Sequence, residues 1–137
     1  MKTRKTIYRI LFVIYLCTVA YLCFGHFTSL PSVPNRILGF QVDKVVHFLM
    51  FFPFPLLFYL AFSWHSGKDW KSILFCLGTF AIGMLLAVGS ELGQGLTTYR
   101  SRDIKDLRAD CIALAACTVV VLIIDIVKNH RKCSEKS

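Results

Sequence analysis

The sequence has 137 residues, which is enough material for one domain. Hydrophobic residues make up 55% and charged residues only 18%, whereas a soluble domain carries about 25% charged residues, so a soluble globular fold is excluded. The net charge is +8, but the charges are bunched between long apolar runs, so the basic excess indicates membrane topology and not a nucleic-acid-binding surface.

Four apolar segments are long enough to cross a bilayer, which requires about 20 residues of helix. We predict these spans at residues 10–27, 45–63, 72–90 and 107–127, followed by a basic cytoplasmic tail at 128–137. The first span is interpreted as a retained anchor, because bulky residues stand where a signal peptidase needs small ones. No segment alternates as a barrel strand does. The sequence therefore predicts an all-α, polytopic membrane protein with four transmembrane helices in a single domain, residues 1–137.

The basic residues predict how the spans are oriented, since cytoplasmic loops carry an excess of lysine and arginine. If the N-terminus is cytoplasmic, ten of the 16 basic residues lie on the cytoplasmic side. On the other side, residues 91–110 carry four acids and four bases, so their net charge is zero. We therefore expect both termini to be cytoplasmic and the loops after the first and third spans to face outward. Within the second span, Pro53 and Pro55 are expected to produce a kink.

Polar residues are concentrated at the three predicted helix ends that meet the outer face. They are Asp43, Lys44 and His47 at the start of the second span, Glu91 and Gln94 at the end of the third, and Arg100, Asp103, Asp106 and Asp110 at the start of the fourth. A charge at the membrane centre costs about 2.5–3.5 kcal/mol on insertion scales, so such residues are candidates for function. The sequence predicts that these side chains converge at one membrane face.

Chemistry divides these residues into two groups. His47, Glu91, Asp43 and Asp106 are candidates for acid–base catalysis, and the remaining five are candidates for binding a ligand. For Asp43, Asp103 and Asp106, helix capping and salt bridging explain the sequence equally well. Arg100 is either an interfacial anchor or an anion clamp.

No metal ligand set and no cofactor are assigned from the sequence, although a histidine among several acids has the chemistry to hold a divalent cation. The six cysteines show no metal-finger spacing and are interpreted as small hydrophobic residues. Asp125, beside Lys128, is expected to be solvated or paired and to lie outside any cluster.

Three motifs in order resemble the VanZ-like family of small bacterial membrane proteins. They are DKVVHF at 43–48, E-x2-Q at 91–94, and R-x5-D at 100–106 with a further polar residue four positions later. The resemblance covers residues 43 to about 117. The positions that match are Asp43, Lys44, His47, Phe48, Glu91, Gln94, Arg100 and Asp106. Asp110 stands where the family usually has Asn, Ala113 where it often has Gly, and Thr98 near a common Pro.

The resemblance implies a multi-pass protein of the bacterial cytoplasmic membrane. The family is named for a member that accompanies glycopeptide-antibiotic resistance and is associated with teicoplanin tolerance. Three functions stay open at this point. In the first, the chain binds or modifies an anionic or lipid-linked envelope molecule such as a cell-wall precursor. In the second, it is an enzyme that uses the same residues for metal- or histidine-assisted phosphoryl or hydrolytic chemistry. In the third, it is a structural or accessory membrane protein. The lipid bilayer is an expected partner, and nucleic acid is not.

Overall fold

The computed structural model describes residues 2–25, 36–37, 40–62, 69–96 and 104–134, with side chains for 3–25, 44–62, 69–96, 104–131 and 134. The helices in these ranges are α1 (Lys2–Phe24), α2 (Val42–Phe51), α3 (Phe54–Phe62), α4 (Asp69–Gln94) and α5 (Ile104–Ser134). A short antiparallel pair, β1 (Arg36–Ile37) and β2 (Phe40–Gln41), precedes α2, with Arg36 opposite Gln41.

Within the described residues, four stretches of helix are long and apolar enough to cross a membrane. They are Thr3–Phe24, Lys44–Phe62, Asp69–Gln94 and Ile104–Arg131. The predicted all-α fold with four transmembrane helices is therefore confirmed, and the protein is a multi-pass membrane protein. Because four is an even number, the N-terminal end of α1 and the C-terminal end of α5 lie on the same side of the membrane.

The helices extend past the predicted spans at their polar ends. α1 begins at Lys2, well before the predicted start at residue 10, and α5 continues to Ser134 through the segment that the sequence assigns to a tail. Lysine and arginine are good helix formers, and their long side chains carry the charge away from apolar surroundings. Hydrophobicity therefore locates the spans but does not locate the helix ends.

The second span is interrupted between α2 and α3, at Phe52 and Pro53, which confirms the expected kink. Pro53 and Pro55 have no backbone N–H, so they cannot donate to the carbonyl groups one turn earlier. At this interruption the Tyr15 hydroxyl of α1 donates a hydrogen bond of 2.5 Å to the Met50 carbonyl. The interruption thus joins α1 to the end of α2.

Small and polar side chains, and not bulky ones, form the inner face of α4. The buried residues of α4 are Ser72, Cys76, Thr79, Gly83, Ala87, Ser90, Glu91 and Gln94. The large residues of this helix face outward, with Leu85 74% exposed, as expected for a surface in contact with lipid. A Cβ atom added to Gly83 would lie 2.7 Å from Leu114 Cδ2, so the glycine permits the close packing of α4 on α5. This packing brings the polar ends of the two helices together.

Candidate functional site

Side chains from α2, α4 and α5 form a buried polar cluster at one end of the bundle. We call Lys44, His47, Glu91, Asp106 and Asp110 the His47 cluster. His47 is 2% exposed and Asp110 is fully buried, while Glu91 and Asp106 are 7% and 4% exposed. His47, Glu91 and Asp106 each offer one ligand atom, and these atoms all lie within 4.8 Å of one another. Residues from three separate helices therefore share one small volume.

His47 is held by an aspartate from α5. Its Nδ1 lies 3.3 Å and 3.4 Å from the two carboxylate oxygens of Asp110. A carboxylate can only accept a hydrogen bond, so the proton of a neutral His47 is assigned to Nδ1 and its Nε2 has the lone pair. The pairing therefore orients the ring and favours the tautomer that has its proton on Nδ1.

A second pair connects the same two helices. Lys44 Nζ lies 3.7 Å from Asp106 Oδ1, with the lysine side chain 22% exposed and the aspartate side chain 6% exposed. Lys44 and His47 are three residues apart on α2, and Asp106 and Asp110 are four apart on α5, so each set shares a helix face. Two polar contacts one turn apart, Lys44 with Asp106 and His47 with Asp110, thus align α2 with α5.

The His47 cluster lies near a membrane face. α4 has 26 residues, which corresponds to a length of about 39 Å at a rise of 1.5 Å per residue. The hydrocarbon core is only about 30 Å thick. Glu91 and Gln94 occupy the last turn of α4, and Gln94 is 3% exposed. These groups are therefore shielded by protein at the end of a helix that is longer than the hydrocarbon core is thick.

A groove between α2 and α5 adjoins the His47 cluster. This α2–α5 groove has a volume of about 370 Å³ and is lined by Lys44, Val45, Phe48, Leu49, Lys105, Arg108, Ala109 and Ile112. Its lining is almost entirely apolar, and three basic residues border it mainly through the aliphatic parts of their side chains. Small-molecule sites have volumes of about 300–1,000 Å³, so the groove is large enough for part of a lipid. Lys44 belongs to both the groove and the cluster.

The sequence-predicted residues are placed as follows. His47, Glu91, Asp106, Lys44 and Asp110 lie together in the His47 cluster, and Gln94 is buried one turn after Glu91. The side chain of Asp43, and the whole of Arg100 and Asp103, lie outside the described residues. Sequence reasoning did not select Lys105 and Arg108 as binding residues. Their spacing of three on α5, one helical turn, was the available signal.

Asp125 differs from the sequence prediction that it lies outside any cluster. It is 7% exposed and lies in a second buried cluster at the opposite end of the bundle, which we call the Asp125 cluster and which also contains Tyr59, Ser72 and Asn129. Tyr59 Oη and Ser72 Oγ donate hydrogen bonds of 2.7 Å and 2.5 Å to the carboxylate. Asn129 Nδ2 donates to Ser72 Oγ at 3.1 Å. The prediction that Asp125 has no cluster around it is wrong, because a carboxylate this far inside the bundle requires donors from neighbouring helices.

The chain is similar to known proteins over most of its length. The VanZ/LLP1 family model matches residues 12–125, a range that contains the whole His47 cluster. Uncharacterized protein C11E3.10 of Schizosaccharomyces pombe is 32% identical over 113 residues, which are 82% of this chain and 59% of that protein. This chain thus spans less than two thirds of the length of that relative. No solved structure matches the chain.

Proposed function

The chain belongs to the VanZ/LLP1 family, and we propose that it binds an anionic lipid or lipid-linked molecule at the membrane face that carries the His47 cluster. The observation that supports this function best is the α2–α5 groove, an apolar surface bordered by the side chains of three basic residues. That combination fits a ligand with a phosphate at one end and a hydrocarbon chain at the other.

The basic side chains supply the attraction for the headgroup. Lys105 and Arg108 lie one turn apart on α5, and Lys44 lines the same groove from α2. Each lysine or arginine near a membrane surface contributes about 1 kcal/mol to the binding of anionic lipid. Arginine also binds phosphate oxygens with two parallel hydrogen bonds. The three residues together therefore favour a phosphate over a neutral headgroup.

The apolar wall supplies contact for the chain of the lipid. Val45, Phe48 and Leu49 line the groove from α2, and Ile112 lines it from α5. Leu49 and Ile112 are 61% and 62% exposed in the bundle, so both have surface for a bound chain. The His47 cluster then lies next to the headgroup, with Lys44 shared between them.

We propose that this face is the non-cytoplasmic one, because the basic residues are more numerous near the other end of the bundle. A bacterial cytoplasmic membrane is the location that the VanZ-like resemblance implies. The relative from Schizosaccharomyces pombe is eukaryotic. The proposal therefore concerns the non-cytoplasmic face of whichever membrane contains the protein.

A lipid-linked cell-wall precursor has the chemistry that the groove selects, since it joins a phosphate group to a long hydrocarbon chain. If such a precursor is the ligand, the protein would act in the cell envelope and affect glycopeptide tolerance. Deletion of the gene from a bacterial host should then lower the teicoplanin concentration that inhibits growth, and complementation should restore it. Equal inhibition of the deletion and complemented strains would remove this part of the proposal.

Lipid binding is tested with the full-length chain in detergent, titrated with dioleoyl phosphatidic acid or with dioleoylglycerol, which lacks the phosphate. Native mass spectrometry measures the bound fraction. We expect phosphatidic acid to bind more tightly. The double variant Lys105→Gln/Arg108→Gln should lose about 2 kcal/mol of binding free energy, which is roughly a 30-fold change in affinity.

The matched control is Lys71→Gln/Arg131→Gln, which removes two exposed basic residues near the opposite end of α4 and α5. It should bind phosphatidic acid like the wild type. The proposal is wrong if phosphatidic acid and dioleoylglycerol bind equally, or if the two double variants have the same affinity.

An enzyme is the second candidate function, supported by the proximity of His47 to two buried carboxylates. A histidine beside carboxylates can transfer protons or activate water. Hydrolysis would release inorganic phosphate from phosphatidic acid, and Glu91→Gln or His47→Gln would stop it. Binding without phosphate release from this lipid would support the binding function over phosphatase activity.

A further inference from the structure

His47, Glu91 and Asp106 have the composition and spacing of a metal-binding triad. Their ligand atoms lie within 4.8 Å of one another, and all three residues are more than nine-tenths buried. From this geometry we propose that the three side chains bind a divalent metal ion such as Zn²⁺ or Mn²⁺. The inference does not depend on the lipid proposal, because it concerns only the cluster.

The ligand set selects the kind of ion. Imidazole nitrogen is a ligand for Zn²⁺ and related transition metals, and carboxylate oxygen is a ligand for Mn²⁺ and Zn²⁺. Bonds to these atoms are about 2.0–2.2 Å long, so three ligands around one ion lie about 3–3.5 Å apart. A side-chain movement of about an ångström would therefore bring the three ligand atoms from their observed separation to the separation that a bound ion requires.

Asp110 occupies the position of an orienting residue. A histidine that binds a metal almost always donates its other ring N–H to a carboxylate, a carbonyl group or a water molecule. His47 Nδ1 lies 3.3 Å from a carboxylate oxygen of Asp110, which leaves Nε2 as the ring nitrogen with a lone pair. If His47 had only a structural role, its burial would require a hydrogen-bond partner, which Asp110 supplies. A structural role would not require the two further carboxylates close to the same ring.

The charges of the cluster also favour a cation. Glu91, Asp106 and Asp110 are three buried carboxylates, and Lys44 is the ammonium group that pairs with one of them. A carboxylate has two oxygens, so Asp106 can contact Lys44 and an ion at the same time. A divalent ion lowers the energy of holding several negative groups together away from water.

Three protein ligands leave coordination positions for water or for a phosphate oxygen, as in catalytic metal sites. If the lipid proposal is also correct, the headgroup in the α2–α5 groove would lie next to the ion. Metal binding and lipid binding are then separate measurements on the same protein, and either can fail without the other.

The test measures metal on the full-length protein after it has been stripped with a chelator and reloaded with Zn²⁺ or Mn²⁺. We expect about one tightly bound ion per chain, detected by inductively coupled plasma mass spectrometry. His47→Gln, Glu91→Gln and Asp106→Asn should each lower the affinity at least tenfold. Asp110→Asn should lower it about 10- to 100-fold, as is usual for an orienting residue.

Asp125→Asn is the matched control, because Asp125 is equally buried but lies in the other cluster. It should retain the wild-type affinity. A measurement on the wild type alone avoids any loss of folding in the variants. Pulsed electron paramagnetic resonance of bound Mn²⁺ should show coupling to a histidine nitrogen. Absence of a bound ion in folded wild-type protein, absence of nitrogen coupling, or unchanged affinity in the three ligand variants would each overturn the proposal.

Discussion

Buried aspartates at the two ends of the bundle are stabilised in different ways. Asp110 pairs with His47, a group that titrates and can bind metals. Asp125 accepts hydrogen bonds from Tyr59 and Ser72, which are neutral donors. The composition of the Asp125 cluster therefore indicates a role in helix packing, whereas the composition of the His47 cluster is typical of a ligand-binding site.

Removal of the Tyr59 hydroxyl tests the structural role of the Asp125 cluster. Tyr59→Phe removes one donor to a buried carboxylate and should destabilise the protein by about 0.6–1.7 kcal/mol, the range for hydrogen bonds between membrane helices. Thermal unfolding in detergent measures the change. Tyr8→Phe on α1 is the control, because it removes a hydroxyl outside the cluster and should have a smaller effect. Equal stability of Tyr59→Phe and the wild type would show that this bond contributes nothing.

At the residue scale, the sequence predicted which polar side chains are buried better than it predicted their partners. His47 and Glu91 were identifiable because they lie toward the apolar side of their spans. The contact of His47 with Asp110 depends on how α2 and α5 are rotated about their axes, which the spacing along each helix does not determine. Asp125 was misjudged because it lies near a basic segment, and its donors come from α3 and α4.

At the scale of elements, α4 and α5 pack closely because small residues recur on their facing sides. Ala87 of α4 and Ala113 of α5 are fully buried, and Gly83 lies against Leu114 and Phe54. Between membrane helices, small residues allow the close contacts that replace the hydrophobic effect. The same packing sets the separation of Glu91 from Asp106, and therefore the geometry of the His47 cluster.

A larger side chain at Gly83 should separate these two helices. In Gly83→Val the added atoms would collide with Leu114 Cδ2, which lies 2.7 Å from the position of a Cβ. We expect a loss of about 1–3 kcal/mol in unfolding free energy, which is typical of an overpacked interior. Gly78→Val is the control, since a Cβ there meets nothing within 4 Å. If both variants unfold at the same temperature, the close approach at Gly83 has no energetic role.

The existence of the membrane-spanning helices could be predicted from the sequence, but the residues at which the helices begin and end could not. Each span shows a long apolar run, which the bilayer requires and the sequence displays directly. Backbone hydrogen bonding continues past the apolar run, so α1 begins at Lys2 and α5 ends at Ser134. The interruption of the second span followed from its two prolines, because their missing N–H groups act locally.

At the scale of the whole molecule, we propose that the His47 cluster lies at the non-cytoplasmic face. In a cysteine-free variant, Leu96→Cys, two residues after the end of α4, should react with a membrane-impermeant maleimide in intact cells. Ser134→Cys at the opposite end should react only after permeabilisation, because we propose from the excess of basic residues that this end is cytoplasmic. If Ser134→Cys reacts in intact cells and Leu96→Cys reacts only after permeabilisation, the topology is the inverse of the proposed one.

Four helices could be predicted from the sequence, but the α2–α5 groove could not. In the sequence, Lys105 and Arg108 are only two of the four bases that balance the acids of residues 91–110, and the groove that they share with Lys44 becomes visible only when α2 is packed beside α5. An interhelical surface depends on contacts between residues about 60 positions apart, which no local pattern records.

The central claim is that the groove and the His47 cluster form a single ligand site, and Lys44 is the residue common to both. The most direct test is the affinity of Lys44→Gln for dioleoyl phosphatidic acid, with Lys71→Gln as the matched control. The double variant Lys44→Gln/Asp106→Asn removes both charges of the pair, so that no buried carboxylate has lost its partner. It is included in case Lys44→Gln alone does not fold. The account predicts that both Lys44 variants bind this lipid at least fivefold more weakly than the control, since one basic residue contributes about 1 kcal/mol. Wild-type affinity in folded Lys44 variants would contradict it.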